Sequence, residues 1–178
     1  MPTVRTITPC LWFDGRAEEA ARFYVGIFPN SRITAVTHYG DAGREIHGQP
    51  PGRVMVAAFE LDGQAFTALN GGPLFTFSEA VSFQVSCDSQ ADIDYYWDQL
   101  GDGGNAAARQ CGWLKDRFGL SWQVVPRCMG ALMTSTVPGA SERVMSAMLR
   151  MQKLDLAALE AAAAPCQPAA TADRTALP

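Results

Sequence analysis

Histidine is scarce in this chain: its 178 residues include only His38 and His47. Two imidazoles without a third positioned ligand make a poor metal centre, so a solvated or locally hydrogen-bonded role is expected for both. Positive charge is sparse as well. Lys and Arg number 14 against 18 Asp and Glu, a formal net charge of -4, and the cations are scattered singly. That excludes the basic stripe on which phosphate-backbone recognition depends, and nucleic acid is not an expected partner. Apolar runs fall well short of the roughly 20 residues that cross a bilayer, and the opening MPTVRTITP has no apolar signal core. A cytoplasmic protein with no membrane partner is expected. The five cysteines, Cys10, Cys87, Cys111, Cys128 and Cys166, contain no CxxC pair. Neither a zinc knuckle nor a disulfide scaffold is expected, and most of these thiols read as small buried apolar groups. Cys111 is singled out as the exception, because Gly112 and Trp113 follow it at the entrance to a strand.

What is present is a patterned apolar content, 48% of the residues, enough for a packed core. The run ITPCLWFDG, 7–15, reads as a strand entering a turn. AEEAARFYVGIF follows with Ala20, Phe23, Tyr24 and Ile27 at helical spacing and acids at its start, which predicts an amphipathic helix ended by Pro29 and Asn30. SRITAVTHY predicts a strand, 40–53 an exposed loop, and VMVAAFELDGQAFTALNGG a hairpin about Asp62 and Gly63. The second half runs in the same order. AVSFQVSCD predicts a strand, and SQADIDYYWDQL a helix with Ser89 as N-cap and Ile93, Tyr96, Trp97 and Leu100 inward. Residues 105–116 and 120–125 predict further strands around a turn at 117–119.

Superposing the halves makes the repeat explicit. Leu11 falls on Gln84 and Ile27 on Leu100, an offset of 73 (84 − 11 and 100 − 27), whereas Gly63 and Gly119 are 56 apart. The first half therefore carries 17 extra residues (73 − 56) between helix and hairpin, and the 40–53 loop accounts for most of them. The expected fold class is α+β, with two βαβββ repeats at about 5–70 and 80–126. An irregular connector and C-terminal helices follow over 127–163, and a disordered tail over 164–178. Within this appendage, Val144, Met145, Met148 and Leu149 make one helical face, which would dock on the body or on a second subunit.

The segments ITPCLWFDGRAEEAARFYVGIFPNSRI, LDGQAFTALNGGP, FSEAVSFQVSC, QCGWLKDRFGLSWQVVP and RVMSAMLRMQKLDLAALEAA resemble the PhnB-like family. Its members often carry the label 3-demethylubiquinone-9 3-methyltransferase, and it lies within the vicinal oxygen chelate, or glyoxalase and bleomycin-resistance, superfamily. The resemblance implies half-open sheets and a homodimer. In superfamily enzymes, facing sheet residues hold a divalent metal, usually through His and Glu. Carried over here, those positions fall near Thr8 or Pro9, at Thr67, near Ser82 and at Gln123. None of these is a usual ligand, so no metal and no other cofactor is expected. The methyltransferase label implies a site for S-adenosylmethionine, normally a Gly-rich strand-to-helix turn. Gly101, Gly103 and Gly104 instead follow a predicted helix and read as its terminator.

Without a metal, a cleft lined by alternate sheet residues remains. Its expected ligand-binding residues are Phe66, Thr67, Ser82, Gln84, Trp113 and Gln123, with Leu11, Phe13 and Ser86 beside them. Ser82, Gln84 and Ser86 alternate with apolar neighbours, a pattern that fits either a cleft face or an ordinary half-solvated strand. Trp12, Trp97, Trp113 and Trp122 could form an aromatic box or pack in the core. Neither histidine is placed beside a nucleophile by a motif, so the catalytic residues stay unknown. The expected function is metal-independent binding of an unknown small molecule. The alternative is a metal-dependent lyase, isomerase or dioxygenase with ligands outside these positions.

Overall fold

The computed structural model describes residues 7–165. In the first module, β1 (Cys10–Phe13) leads into α1 (Ala17–Ile27) and β2 (Arg32–His38). A loop holding the single-turn α2 (Arg44–His47) then leads to the hairpin of β3 (Val54–Leu61) and β4 (Gln64–Asn70). The sheet order is β1-β4-β3-β2, with β1 parallel to β4 and the other pairs antiparallel. The hairpin turns through Asp62 and Gly63 at φ 45° and 84°, the left-handed pair that a two-residue turn needs to match strand twist.

α1 buries Ala17, Ala20, Ala21, Tyr24 and Ile27, one face of a 3.6-residue period. The residue at its N-cap, Arg16, offers no side-chain hydrogen bond. The buried Asn70 at the end of β4 supplies one instead, accepting the Ala17 amide through Oδ1 at 2.8 Å. The helix start is thus fixed by the neighbouring strand.

The second module comprises β5 (Ser82–Cys87), α3 (Gln90–Gly101), β6 (Trp113–Lys115) and β7 (Ser121–Pro126), in the order β5-β7-β6. Ser89 caps α3 in a reciprocal box with Asp92. Ile93, Trp97 and Leu100 face inward as expected, while Tyr96 is only half-buried. The strand expected over 105–116 is reduced to β6. Residues 106–108 form a 3-10 turn instead, started by the Asn105 side chain. Cys111 and Gly112 then take φ of 52° and 83°, which no strand accommodates. Their amides leave the sheet pattern and donate to the carbonyls of Met151 and Gln152, both at 2.8 Å. The residues missing from the second half therefore come out of its second strand as well as its loop.

Register corrects the repeat. Cys10 pairs with Thr67 across β1 and β4, and Gln84 with Gln123 across β5 and β7. Thr67 and Gln123 each lie four residues beyond their hairpin glycine, so Cys10 is the counterpart of Gln84. The strand offset is 84 − 10, or 74, while the helices keep 73. The expected match of Leu11 with Gln84 fails because one residue of slip reverses every side chain: Leu11 is buried and Gln84 exposed.

The helix-covered faces of the two modules meet in one core that joins Phe13, Phe59 and Phe66 to Trp97, Leu114 and Trp122. Tyr24 lies 5.5 Å from Trp122 and Phe66 lies 5.3 Å from Phe83 between ring centres. The opposite faces of both sheets are left open. At the module junction sits Asp116, 2% exposed. Its carboxylate accepts from the Tyr24 hydroxyl (2.7 Å), Trp122 Nε1 (2.8 Å) and the amides of Phe118 (2.8 Å) and Leu120 (3.0 Å).

Beyond β7 the chain forms α4 (Met129–Met133), in a stretch expected to be irregular, then α5 (Ala140–Met148) and α6 (Leu156–Ala163). Asp155 caps α6 through Ala158. These helices enclose a small cluster of Val144, Leu154 and Leu159 on Val125 of β7. Residues 166–178, which hold Cys166 and most of the expected tail, lie outside the described residues. No described helix is long and apolar enough to cross a membrane.

Burial pushes the Asp116 carboxyl above its ordinary value, with its four hydrogen bonds opposing the shift. Stability linked to its protonation is then fully present below the unfolded value of about 3.9, and is lost as pH rises through the raised folded value. Replacing Asp116 with Ala strands a buried phenol and an indole N–H, at a cost of about 3 kcal/mol. Urea denaturation should show that loss, with Tyr24→Phe losing about 1 kcal/mol. Asp116→Asn should remove this segment of the pH dependence from the stability curve.

Candidate functional site

The open face of the second sheet gathers the polar residues of three strands. Pairing places Gln84, Gln123 and Trp113 in one row, and Ser82, Ser121 and Lys115 in the next. Because side chains alternate along each strand, these six project from the same face, while Phe83, Trp122 and Leu114 project into the core. Gln123 Nε2 donates to Ser82 Oγ at 2.9 Å. The bond orients the amide, using one of its two N–H donors, and leaves the Gln123 carbonyl to accept from a ligand. A cavity of about 410 Å³ opens beside β6, lined by Trp113, Lys115, Ser121, Gln110, Cys111 and Glu79 among others. Lys115 Nζ pairs with Glu79 at 2.5 Å, which holds the Glu79 carboxyl below its ordinary range.

Of the six residues expected to bind a ligand, Ser82, Gln84, Trp113 and Gln123 are thus brought together. Thr67 projects from the open face of the other sheet, where its amide donates to Pro9 O at 3.0 Å. Phe66 points the opposite way from Thr67 and is buried in the core, as are Leu11 and Phe13. Its ring still reaches a second cavity of about 380 Å³ at the seam between modules, lined by Phe28, Phe83, Gln84, Tyr96 and Trp122 as well. The four tryptophans do not form one box. Trp97 and Trp122 are core residues, and Trp12 packs edge-on to Phe75 with its indole N–H on Gly72 O at 2.8 Å. Trp113 lines the β6 cavity.

Lys115, Ser121 and Glu79 escaped the sequence reading. Lys115 falls at the end of the strand expected over 105–116, next to the charged turn, and Ser121 opens a run of bulky residues. The alternation that singled out Ser82, Gln84 and Ser86 applies equally to Ser121 and Gln123, and would have found Ser121.

Among the described residues no group of three or more His, Cys, Asp or Glu could hold a metal ion. His38 is exposed at the end of β2. His47 Nδ1 accepts the Gln49 amide at 3.0 Å, and Nε2 faces Ala42 O at 3.2 Å. That pattern fits a neutral ring protonated at Nε2 and used within its own loop. Glu60 pairs with Arg32 at 2.7 Å, and Asp62 is the hairpin turn residue. The glycines after α3 have a packing role: a side chain on Gly104 would run into the carbonyl of Lys115.

Two open-faced sheets built on a repeated strand-helix-hairpin plan define a glyoxalase-type fold, and the comparisons with known proteins agree. The 3-demethylubiquinone-9 3-methyltransferase family model matches residues 5–125, and the chain belongs to that PhnB-type family. It is similar to the PhnB protein of Bacillus cereus, which carries the same methyltransferase label. Identity is 32% over 68% of this chain and 99% of that one, at a TM-score of 0.58. A Pseudomonas aeruginosa protein shares the fold at 23% identity, covering 69% of this chain and 98% of its own, with a TM-score of 0.53. No curated protein matches.

The thiols differ in their surroundings. Burial, with Asp92 and Asp88 nearby, pushes Cys87 up to about 11, whereas Cys10 is exposed on the open face of the first sheet. Since the thiolate is the nucleophile, iodoacetamide at pH 8 should alkylate Cys10 well before Cys87, as peptide mass spectrometry would show.

Proposed function

We propose that this protein binds a small molecule on the open face of its second sheet without the help of a metal. The observation that carries the reading is the Gln123 to Ser82 hydrogen bond. Where metal-binding relatives would need a carboxylate or imidazole free to coordinate, this face holds a neutral amide oriented by a hydroxyl. The Gln123 carbonyl, Gln84 and the Trp113 ring supply what a binding site needs, a few directed polar groups beside an apolar wall.

Methyl transfer is not part of the proposal. Gly101, Gly103 and Gly104 sit at the end of α3, and Gly104 packs against Lys115 of β6, so they do not form the strand-to-helix turn that would cradle this donor, and the residues present do not fit it. No step is assigned to it. A homodimer does belong to the proposal. On α5 and at its C-cap, Val144 and Met148 pack inside the chain, while Met145 and Leu149 stay exposed and are offered as part of the contact.

Three measurements test this. Elemental analysis of protein purified without chelator, before and after incubation with nickel, zinc, manganese or iron(II), should find far less than one metal per chain. Stoichiometric metal would overturn the reading in favour of metal-dependent chemistry. In a small-molecule screen, Gln123→Leu should weaken hits about tenfold, or 1.4 kcal/mol, with little change in melting temperature. Sedimentation velocity should show a dimer that Leu149→Glu weakens.

A further inference from the structure

The cavity beside β6 contains a polar group with nothing to do. Ser121 is 1% exposed, and its Oγ has no hydrogen-bond partner among the described residues. Buried hydroxyls are nearly always paired, and the exceptions call for an explanation. Ser121 is the cross-strand neighbour of Lys115, and both line the same space. The cation there is not free. Glu79, from the irregular segment between the modules, reaches in to pair with it. The Glu79 side chain is 65% exposed against 21% for Lys115, so the carboxylate arrives from solvent onto a half-sunk ammonium. Such an exposed pair is weak and easily exchanged.

Resting on the open-face reading above, we propose that this cavity is a subsite for a small organic monocarboxylate. Lys115 is its counter-ion, the Ser121 hydroxyl its hydrogen-bond donor, and Glu79 an internal stand-in that the ligand displaces. Exchange of one carboxylate for another leaves the charge of the cavity unchanged, whereas a dianion such as phosphate would bring a second negative charge with no second cation to meet it. The remaining wall is formed by Trp113, Leu114, Ala108 and Cys111 with the single polar side chain of Gln110, so the body of the ligand is mainly apolar and suited to an aromatic face. Charge-assisted contact with Lys115 supplies the stronger anchor, and Ser121 fixes the orientation.

The full-length protein should be titrated with benzoate by calorimetry, with benzamide as the neutral isostere and inorganic phosphate as the dianion. Benzoate should bind saturably, at least tenfold tighter than either control. Glu79→Gln, which removes the internal competitor from an exposed position, should tighten benzoate threefold or more. Lys115→Met should weaken it at least tenfold and Ser121→Ala by several-fold, with circular dichroism and melting curves confirming folded variants. Equal binding of benzamide, tighter binding of phosphate, or affinity indifferent to Glu79→Gln would overturn the proposal, as would no benzoate binding to either wild type or Glu79→Gln. Screen hits that weaken in Gln123→Leu but ignore Lys115→Met would leave the open-face reading standing and remove this subsite alone.

Discussion

The Asp116 carboxylate is the point through which the two modules are joined. Tyr24 comes from the helix of the first module, while Trp122, Phe118 and Leu120 come from the hairpin of the second, and all four donate to one side chain. An unpaired carboxylate at this depth would be intolerable. Three of the donors belong to its own hairpin and fix the carboxylate there, and the fourth, the Tyr24 hydroxyl, is met in only one relative position of helix and hairpin. Apolar burial of the surrounding rings, Phe59, Phe66, Phe83 and Trp122, is non-directional, and the Tyr24 bond adds a direction to it. Hub and rings together hold the helix-covered faces against each other and leave the opposite sheet faces open.

The consequences reach the binding face. With the helix-covered faces locked together, alternation obliges Ser82, Gln84 and Gln123 to point away from the core. Their accessibility is thus a by-product of how the core is closed. The same rule explains why Phe66 and Thr67, adjacent in sequence, serve different places: one fills the core and edges the seam cavity, while the other lies on the first open sheet.

Much of this was legible in the sequence. Both long helices, the Asp62-Gly63 turn, the Ser89 and Asp155 caps and the polar stripe of β5 carry strong local signals: helical spacing, a left-handed turn pair, short oxygen side chains before apolar runs, and period-two alternation. What was not legible depends on contacts remote in the chain. Asn70 caps a helix 53 residues away, and Asp116 looks like any turn acid until its partners are placed. The loss of a strand before β6 follows from left-handed backbone at Cys111 and Gly112, and Cys111 gives no compositional warning of it. The register of the repeat was misjudged by a single residue, because weak side-chain similarity cannot separate offsets of 73 and 74 when only the pairing of strands decides between faces.

The hydrogen bonds from Cys111 and Gly112 to Met151 and Gln152 also divide responsibility within the chain. One wall of the β6 cavity is held by a segment outside the repeat, whereas its floor is built from the sheet itself. Substitutions in the helical appendage can therefore reset the width of the cavity while leaving the Asp116 hub untouched. Ligand preference in such an architecture can drift without endangering the fold that carries it.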